Sequence, residues 1–412
     1  RSPLQNARDC TKAEGMRLVS DGIWTIPPAG ETAREYLTDS VVVSAEQSSA
    51  SNRAEPGDDG VRVAVNMSDA VRYHAMSNSG TIDPPMTVDA PHVDLEADTV
   101  MPESLITSIQ PHYQMSRAAD LPRHHTYALR IAGPLLALGV NAPFFPPDLY
   151  ADDADAGTIL DEAYMEHRIA VFESVLNTDG AEKVTFPPDL DTVEEAVDRI
   201  AGDDVVVPIP TDDEDGDRFD DQFPTFRAKH GTYWRWVRPV FGGATRSKAN
   251  ARIEFRFLPG QPTVRDSIAF QAAFAGLMGA LPRHEHPVIG LEWETARDNF
   301  YAAVADGIDA DLEWIGYDGE PTRDTDTLYD DLLDHAAAGL VTAGCSETEA
   351  DSWLAPLRYR VDHATTPAAW KRDGVRSRLA DGESFADAVH DTQRAYIRHQ
   401  AETLVDDGFS AW

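Results

Sequence analysis

Two stretches of the chain alternate apolar and polar residues one by one. Longer stretches repeat apolar residues every three or four positions. The first pattern suits a strand, whose successive side chains leave on opposite faces; the second suits a helix with one buried stripe. Residues 61–67 (VRVAVNM) and 250–258 (NARIEFRFL) alternate and are predicted as strands, and 104–115 (SLITSIQPHYQM) is a β-rich run with polar residues at alternate places. Helical spacing predicts helices over 121–140, 161–176, 192–200, 264–281, 289–306, 325–342, 346–357, 366–379 and 383–406. The first of these stops at the GVNAP run, 139–143. Asp21-Gly22 and Pro27-Pro28 are turn signals, and 44–60, 80–102 and 210–222 read as loops. Strands gather in the first two thirds and helices at the end, with no internal repeat and no linker. The predicted fold class is α+β, in one domain over 1–412. Within it, 1–60 has no assigned structure and 289–412 forms a helical cover.

Charge narrows the partners. The chain carries 71 acidic against 35 basic residues, a formal charge of −36, with an ordinary apolar fraction of 42%. A surface this negative repels phosphate backbones and anionic lipid, so neither nucleic acid nor a membrane is an expected partner. The acid excess is spread along the chain and lysine is scarce, a pattern expected of a halophile, haloarchaeal-like, in which concentrated salt screens the self-repulsion. Cys10 and Cys345 make neither a disulfide framework nor a metal spacing, which points to a reducing cytoplasm. The most apolar stretch, 127–145, contains Arg130, Asn141 and two prolines; it reads as a buried helix and its exit, not a membrane span. The sequence begins with Arg, so a further N-terminal piece is expected. Oligomeric state is left open, a homo-oligomer included.

Three constellations can carry chemistry. In the 250–258 strand, Arg252, Glu254 and Arg256 share one face, and Ile253, Phe255 and Phe257 share the other. Two guanidinium groups flanking a carboxylate suit a site for anions and a divalent cation, or else a surface salt-bridge ladder. Just upstream, Trp234, Arg235, Trp236 and Arg238 make either the wall of a nucleotide pocket or an aromatic core strand with exposed arginines. Gln110, His112 and Gln114 share a strand face, where a lone His is more often structural than a ligand. The pair His124-His125 opens a helix and reads as surface. No P-loop, G-x-G-x-x-G, G-x-S-x-G or H-E-x-x-H pattern is present. Any bound ATP is therefore expected to be held by arginines and metal on a sheet.

Several of these pieces fall in the order of a known family. Residues 232–262, with a V-R-P segment before an E-x-R strand, resemble glutamate–cysteine ligases, ATP-dependent carboxylate–amine ligases of the glutamine synthetase superfamily. Residues 104–115 resemble that family's T-x-x-Q-x-[HN] strand, and 135–144 (LLALGVNAPF) its following helix and A-N-S-P-F exit. Upstream, 72–76 (RYHAM) resembles its R-Y-x-x-M segment. The likeness spans about 60–405, with the order kept.

The resemblance implies a twisted, mainly antiparallel sheet shaped as a funnel, covered by helices, in a single catalytic domain. It implies ATP as co-substrate, Mg²⁺ or Mn²⁺ as metal, and glutamate with cysteine or another amine as the joined molecules. By the match, Glu254 and Gln110 are metal ligands, and Arg256 and Arg238 are catalytic. His112, Arg252, Arg168 and Trp234 fall on the ATP side, and Arg72 and Tyr73 at the amino-acid end. The family's opening strand, whose G-x-E-x-E carboxylates complete the metal set, has no counterpart here; Glu14, Glu31 and Glu35 do not match it. Either that strand lies upstream of Arg1, or the metal site is incomplete.

Overall fold

A computed structural model describes residues 2–43, 60–68, 70–80, 84–177, 182–207 and 219–412. The loops expected at 44–60 and 210–222 fall largely outside them, Gly60 and Phe219–Gln222 excepted. In chain order the strands used below are β1 (Ser40–Val43), β2 (Val61–Ala64), β3 (His112–Gln114), β4 (Val237–Gly242) and β5 (Asn250–Phe255). The helices are α1 (Val71–Ser77), α2 (Leu121–Arg130), α3 (Ala132–Gly139), α4 (His167–Leu176), α5 (Val193–Gly202), α6 (Pro224–Gly231), α7 (Val264–His284), α8 (Trp293–Asp306), α9 (Thr325–Thr342), α10 (Glu347–Asp362), α11 (Pro367–Ala380) and α12 (Phe385–Thr403). The architecture is α+β.

The strands make small antiparallel sheets. The largest among the described residues has three strands in the order β3-β5-β4, and β1 pairs with β2. Isolated bridges such as Ser108 with Pro259 carry the pairing past the strand ends. One face of the three-stranded sheet is apolar because Ile253 and Phe255 project from it. Both are fully buried, and Phe255 meets Phe274 of α7 edge-on at 4.1 Å between ring centroids. Helix α7 starts at Thr263, whose hydroxyl accepts from the Asp266 amide. It crosses α9 where Gly276 faces Gly339; a side chain at either position would run into the other helix's backbone.

Three expectations needed correction. The helix predicted over 121–140 is two helices, α2 and α3, meeting at Ile131. Pro134 has no N–H to give the Arg130 carbonyl, so the ladder breaks there. The helix predicted from 161 begins at His167, after a shorter one over Ala156–Glu162. Between them the chain is extended: Met165 and Glu166 donate their amides to the carbonyls of Ala305 and Val304. The pair His124-His125, expected on the surface, is turned inward, with His125 buried on the α2 stripe of Leu121, Ala128 and Leu129.

The C-terminal helices enclose a second polar centre. Arg360 of α10 donates to the Leu138 carbonyl at 2.7 Å, to Gln261 Oε1 at 2.9 Å and to Asp266 Oδ1 at 3.0 Å. The other Asp266 oxygen accepts from the Thr263 hydroxyl at 2.5 Å and the Phe409 amide at 3.0 Å. Nearby, Lys371 of α11 donates to Asp21 Oδ1 at 2.5 Å, and Gln393 of α12 to Asp21 Oδ2 at 2.7 Å. Each buried cation there has its own carboxylate. No helix among the described residues is long and apolar enough to cross a membrane.

Candidate active site

The sheet register sets three predicted residues in a row. His112 on β3, Glu254 on β5 and Arg238 on β4 are direct cross-strand partners. Side chains opposite each other on one sheet face stand close enough to interact, and these do. Glu254 is 3% exposed. Its Oε2 accepts from Arg238 Nε at 2.5 Å, while its Oε1 lies 3.5 Å from Arg256 Nη1 and 3.7 Å from His112 Nε2. Arg238 is fixed from behind, where Nη1 donates to the carbonyls of Tyr233 at 2.8 Å and His230 at 3.1 Å. Among the described residues, Glu254 pairs only with these three groups.

The electrostatics follow from that packing. Burial alone would raise the Glu254 carboxyl; Arg238 and Arg256, with the Arg238 hydrogen bond, outweigh it and hold the pKa below its ordinary value. Arg256 pays for its burial in the opposite sense. Its enclosure, and then Arg238, bring its pKa down to about 10, and its buried Nε has no hydrogen-bond partner. Arg252 donates Nε–H to His112 Nδ1 at 3.2 Å and Nη1–H to Asn250 Oδ1 at 3.2 Å. Because His112 Nδ1 accepts, its proton sits on Nε2, facing Glu254. Burial, despite the opposing pull of Glu254, lowers the His112 pKa.

The charge count is lopsided. Arg238 and Arg256 share Glu254, and Arg252 has no carboxylate within ion-pair distance among the described residues. A fourth arginine approaches from α1: Arg72 Nη2 donates to the Gly231 carbonyl at 3.4 Å, at the same end of α6 that holds Arg238. Glu103, which the sequence reading missed, stands where Arg72 and Arg256 both act on it. It is the single acidic residue between Asp98 and Asp120. That isolation was the one trace of it in the sequence. Tyr73, beside Arg72, lines a cavity with Glu103.

A family model, glutamate–cysteine ligase family 2, matches residues 1–399. The chain belongs to this family. Membership implies a ligase, of a family that works with ATP and a divalent metal. Among curated proteins, no match is found.

The remaining residues expected from the ligase pattern are placed differently. Trp234 is 4% exposed and packed in the core near Phe172, so it does not wall an open pocket; stacking on a base would require leaving that core. Arg168 is 2% exposed, donates to the Phe257 carbonyl, and lies 3.6 Å from Glu166. It reaches the site only through its field on Arg256. Gln110 is exposed, outside β3, and its amide donates to Ser108 Oγ at 3.3 Å.

These residues do not by themselves fit a resident Mg²⁺. That ion takes oxygen ligands in near-octahedral geometry. Here one carboxylate presents both oxygens to guanidinium groups, and the His nitrogen nearest it carries a proton. Among the described residues, the one group of three His, Cys, Asp or Glu ligand atoms is elsewhere, at His286, Asp331 and His335. That group is internally satisfied: His286 Nδ1 accepts the Val288 amide at 3.1 Å, leaving Nε2 to donate to Asp331 at 3.0 Å. The Trp314 indole also donates to Asp331, at 2.7 Å.

Proposed function

We propose that this family member is an ATP-dependent carboxylate–amine ligase that activates the γ-carboxyl of glutamate as an acyl phosphate and joins it to an amine, cysteine being the first candidate. One observation supports this most. In a chain of formal charge −36, the polar face of one small sheet gathers arginines in excess of carboxylates, largely shielded from water. A local reversal of sign against so acidic a background is a receptor for anions, and all the early reactants of this chemistry are anionic.

In this reading the chemistry is mostly positioning and charge neutralisation. The γ-carboxylate oxygen attacks the terminal phosphorus of ATP, ADP leaves, and a mixed anhydride remains. The amine nitrogen then attacks the activated carbonyl carbon, the C–O bond to phosphate breaks, and the nitrogen loses a proton. Arg256 and Arg238 neutralise the transferring phosphoryl group, with Arg252 and His112 on the nucleotide side and Arg72 and Tyr73 at the amino-acid end. Glu254 anchors the two catalytic arginines rather than serving as a metal ligand. Mg²⁺ or Mn²⁺ would accompany the nucleotide and offset its phosphate charge. The funnel shape and glutamine synthetase-like fold remain part of this proposal.

Phosphate release with ATP, Mg²⁺, glutamate and a panel of amines tests it. Release with cysteine alone supports the leading reading, and release with a different amine moves it to another acceptor. Nucleotide binding without release under any amine would favour a second reading, a non-catalytic anion-binding homologue, for which the single carboxylate at the sheet is the motivation.

A further inference from the structure

A small cavity of about 10 Å³ adjoins the Asp21 centre. Phe144 and Val389 close its apolar sides, and Thr25, Lys371, Thr392 and Gln393 give it a polar wall. Three segments meet there: the chain at Thr25, helix α11 and helix α12. Thr25 is 5% exposed and Thr392 3%. Neither hydroxyl has a hydrogen-bond partner among the described residues. A buried hydroxyl left alone costs the free energy of its lost hydration, and most buried polar groups are paired. Here two such hydroxyls line the same small space.

Thr392 reaches that space by giving up an easier partner. A threonine inside a helix can satisfy its hydroxyl on the carbonyl four residues back. Thr403 of α12 does so, donating to the His399 carbonyl at 2.8 Å. Thr392, earlier on the same helix, does not. It packs closely on Gly374 of α11, where a methyl group would stand 3.0 Å from Thr392 Cγ2.

Charge and size select the occupant. Lys371 already faces Asp21 at 2.5 Å, so the neighbourhood is balanced. An added anion would meet the Asp21 carboxylate, and an added cation the Lys371 ammonium. Lys371 also donates to the Asn141 carbonyl at 2.7 Å and rests 4.4 Å from the centre of the Tyr396 ring, so its N–H groups are engaged. Gln393 gives one amide hydrogen to Asp21 Oδ2 and keeps a second. Each threonine hydroxyl can donate or accept. A neutral molecule that both donates and accepts suits this wall, and a single water needs roughly 10–15 Å³.

We propose that this cavity binds one structural water, which accepts from the Gln393 amide and bridges the Thr25 and Thr392 hydroxyls. Three partners are usual for a buried water. The water makes a second tie between the N-terminal segment and α12, beside the direct bond from Gln393 to Asp21. The assignment is independent of the ligase reading.

The test is urea unfolding of the full chain with Thr25→Val, Thr392→Val and both together. Valine keeps the shape and removes the hydroxyl. With the water in place, each single variant takes away one of its partners and lowers the folding equilibrium constant about fivefold. The double variant then loses less than the product of the two, because the hydroxyls act through one shared molecule. Without a water, the same changes remove two unsatisfied buried groups, and each single variant is more stable than wild type. A gain in stability, or two losses that simply multiply, overturns the proposal. Should a variant fail to fold, crystals of the wild-type chain grown with sodium bromide decide. Density for a water within hydrogen-bond distance of both hydroxyls and Gln393, with no anomalous signal, supports the site. A bromide peak in the cavity, or no density there, overturns it.

Discussion

The molecule has two buried charge centres built on opposite plans. Under the C-terminal helices, Arg360 meets Asp266 at 3.0 Å and Lys371 meets Asp21 at 2.5 Å. Most remaining valences there go to backbone or to amide side chains. On the sheet, Arg238 and Arg256 share one carboxylate while Arg252 and Arg72 bond to neutral groups. Balanced charge suits a fixture of the fold, because each ion already has its counter-ion. Surplus charge of one sign is tolerable only near the surface or with a counter-ion, and in the proposed reading an anion supplies that counter-charge.

Four changes would break or sharpen this contrast. The largest effect is expected in the balanced centre. Arg360→Met strands Asp266 and should cost about 3–5 kcal/mol, seen as a lower urea midpoint. A midpoint within error of wild type would remove that pair from the fold's essentials. In the surplus centre, Glu254→Gln should instead act on function. Turnover should fall about 100-fold or more as the arginines lose their anchor, while pyrophosphate binds more tightly by titration calorimetry. Weaker binding of pyrophosphate would show that the arginines need Glu254 to face an anion at all.

The third effect is acid sensitivity. His125, buried behind the sheet, has a folded pKa lowered to about 4, chiefly by burial, from an ordinary value of 6.5. The fold holds it neutral while the unfolded chain takes up its proton. Stability is therefore lost as pH falls from about 6.5 towards 4, by about 2 kcal/mol at pH 5. Replacing it, as in His125→Leu, should flatten the stability profile across that window; an unchanged slope would assign the acid sensitivity to other groups. The smallest effect is Arg256→Lys, which keeps the charge and loses the fork. About a tenfold drop in kcat/KM is expected, with little change in melting temperature. A wild-type rate would take Arg256 off the reacting phosphate.

The sequence showed the surplus centre more clearly than its setting. The alternation over 250–258 placed Arg252, Glu254 and Arg256 on one face because a strand's period is local and needs no partner to be read. The register that set His112 and Arg238 beside Glu254 came from pairing between distant segments, which no local pattern encodes. Within 104–115 only His112–Gln114 became a strand, and Met101–Leu105 coiled into a 3-10 turn. Trp234 carries the same composition whether it lines a pocket or fills a core, and packing against Phe172 decided for the core. Arg168 was expected among nucleotide contacts, but its helix face turned inward, against Glu166 and the Phe257 carbonyl. Glu103 gained its distinction only when α1 and the sheet were brought to it.

The Asp21 centre has a consequence for how the protein is made. Its cation, Lys371, is 350 residues further along the chain. A growing polypeptide releases its beginning long before its end, so Asp21 leaves the ribosome without the group that will neutralise it. That group is not made until 350 further residues have been added. The contact that locks residue 21 into place waits for that distant segment, and any pause in synthesis between the two leaves the early segment unmoored.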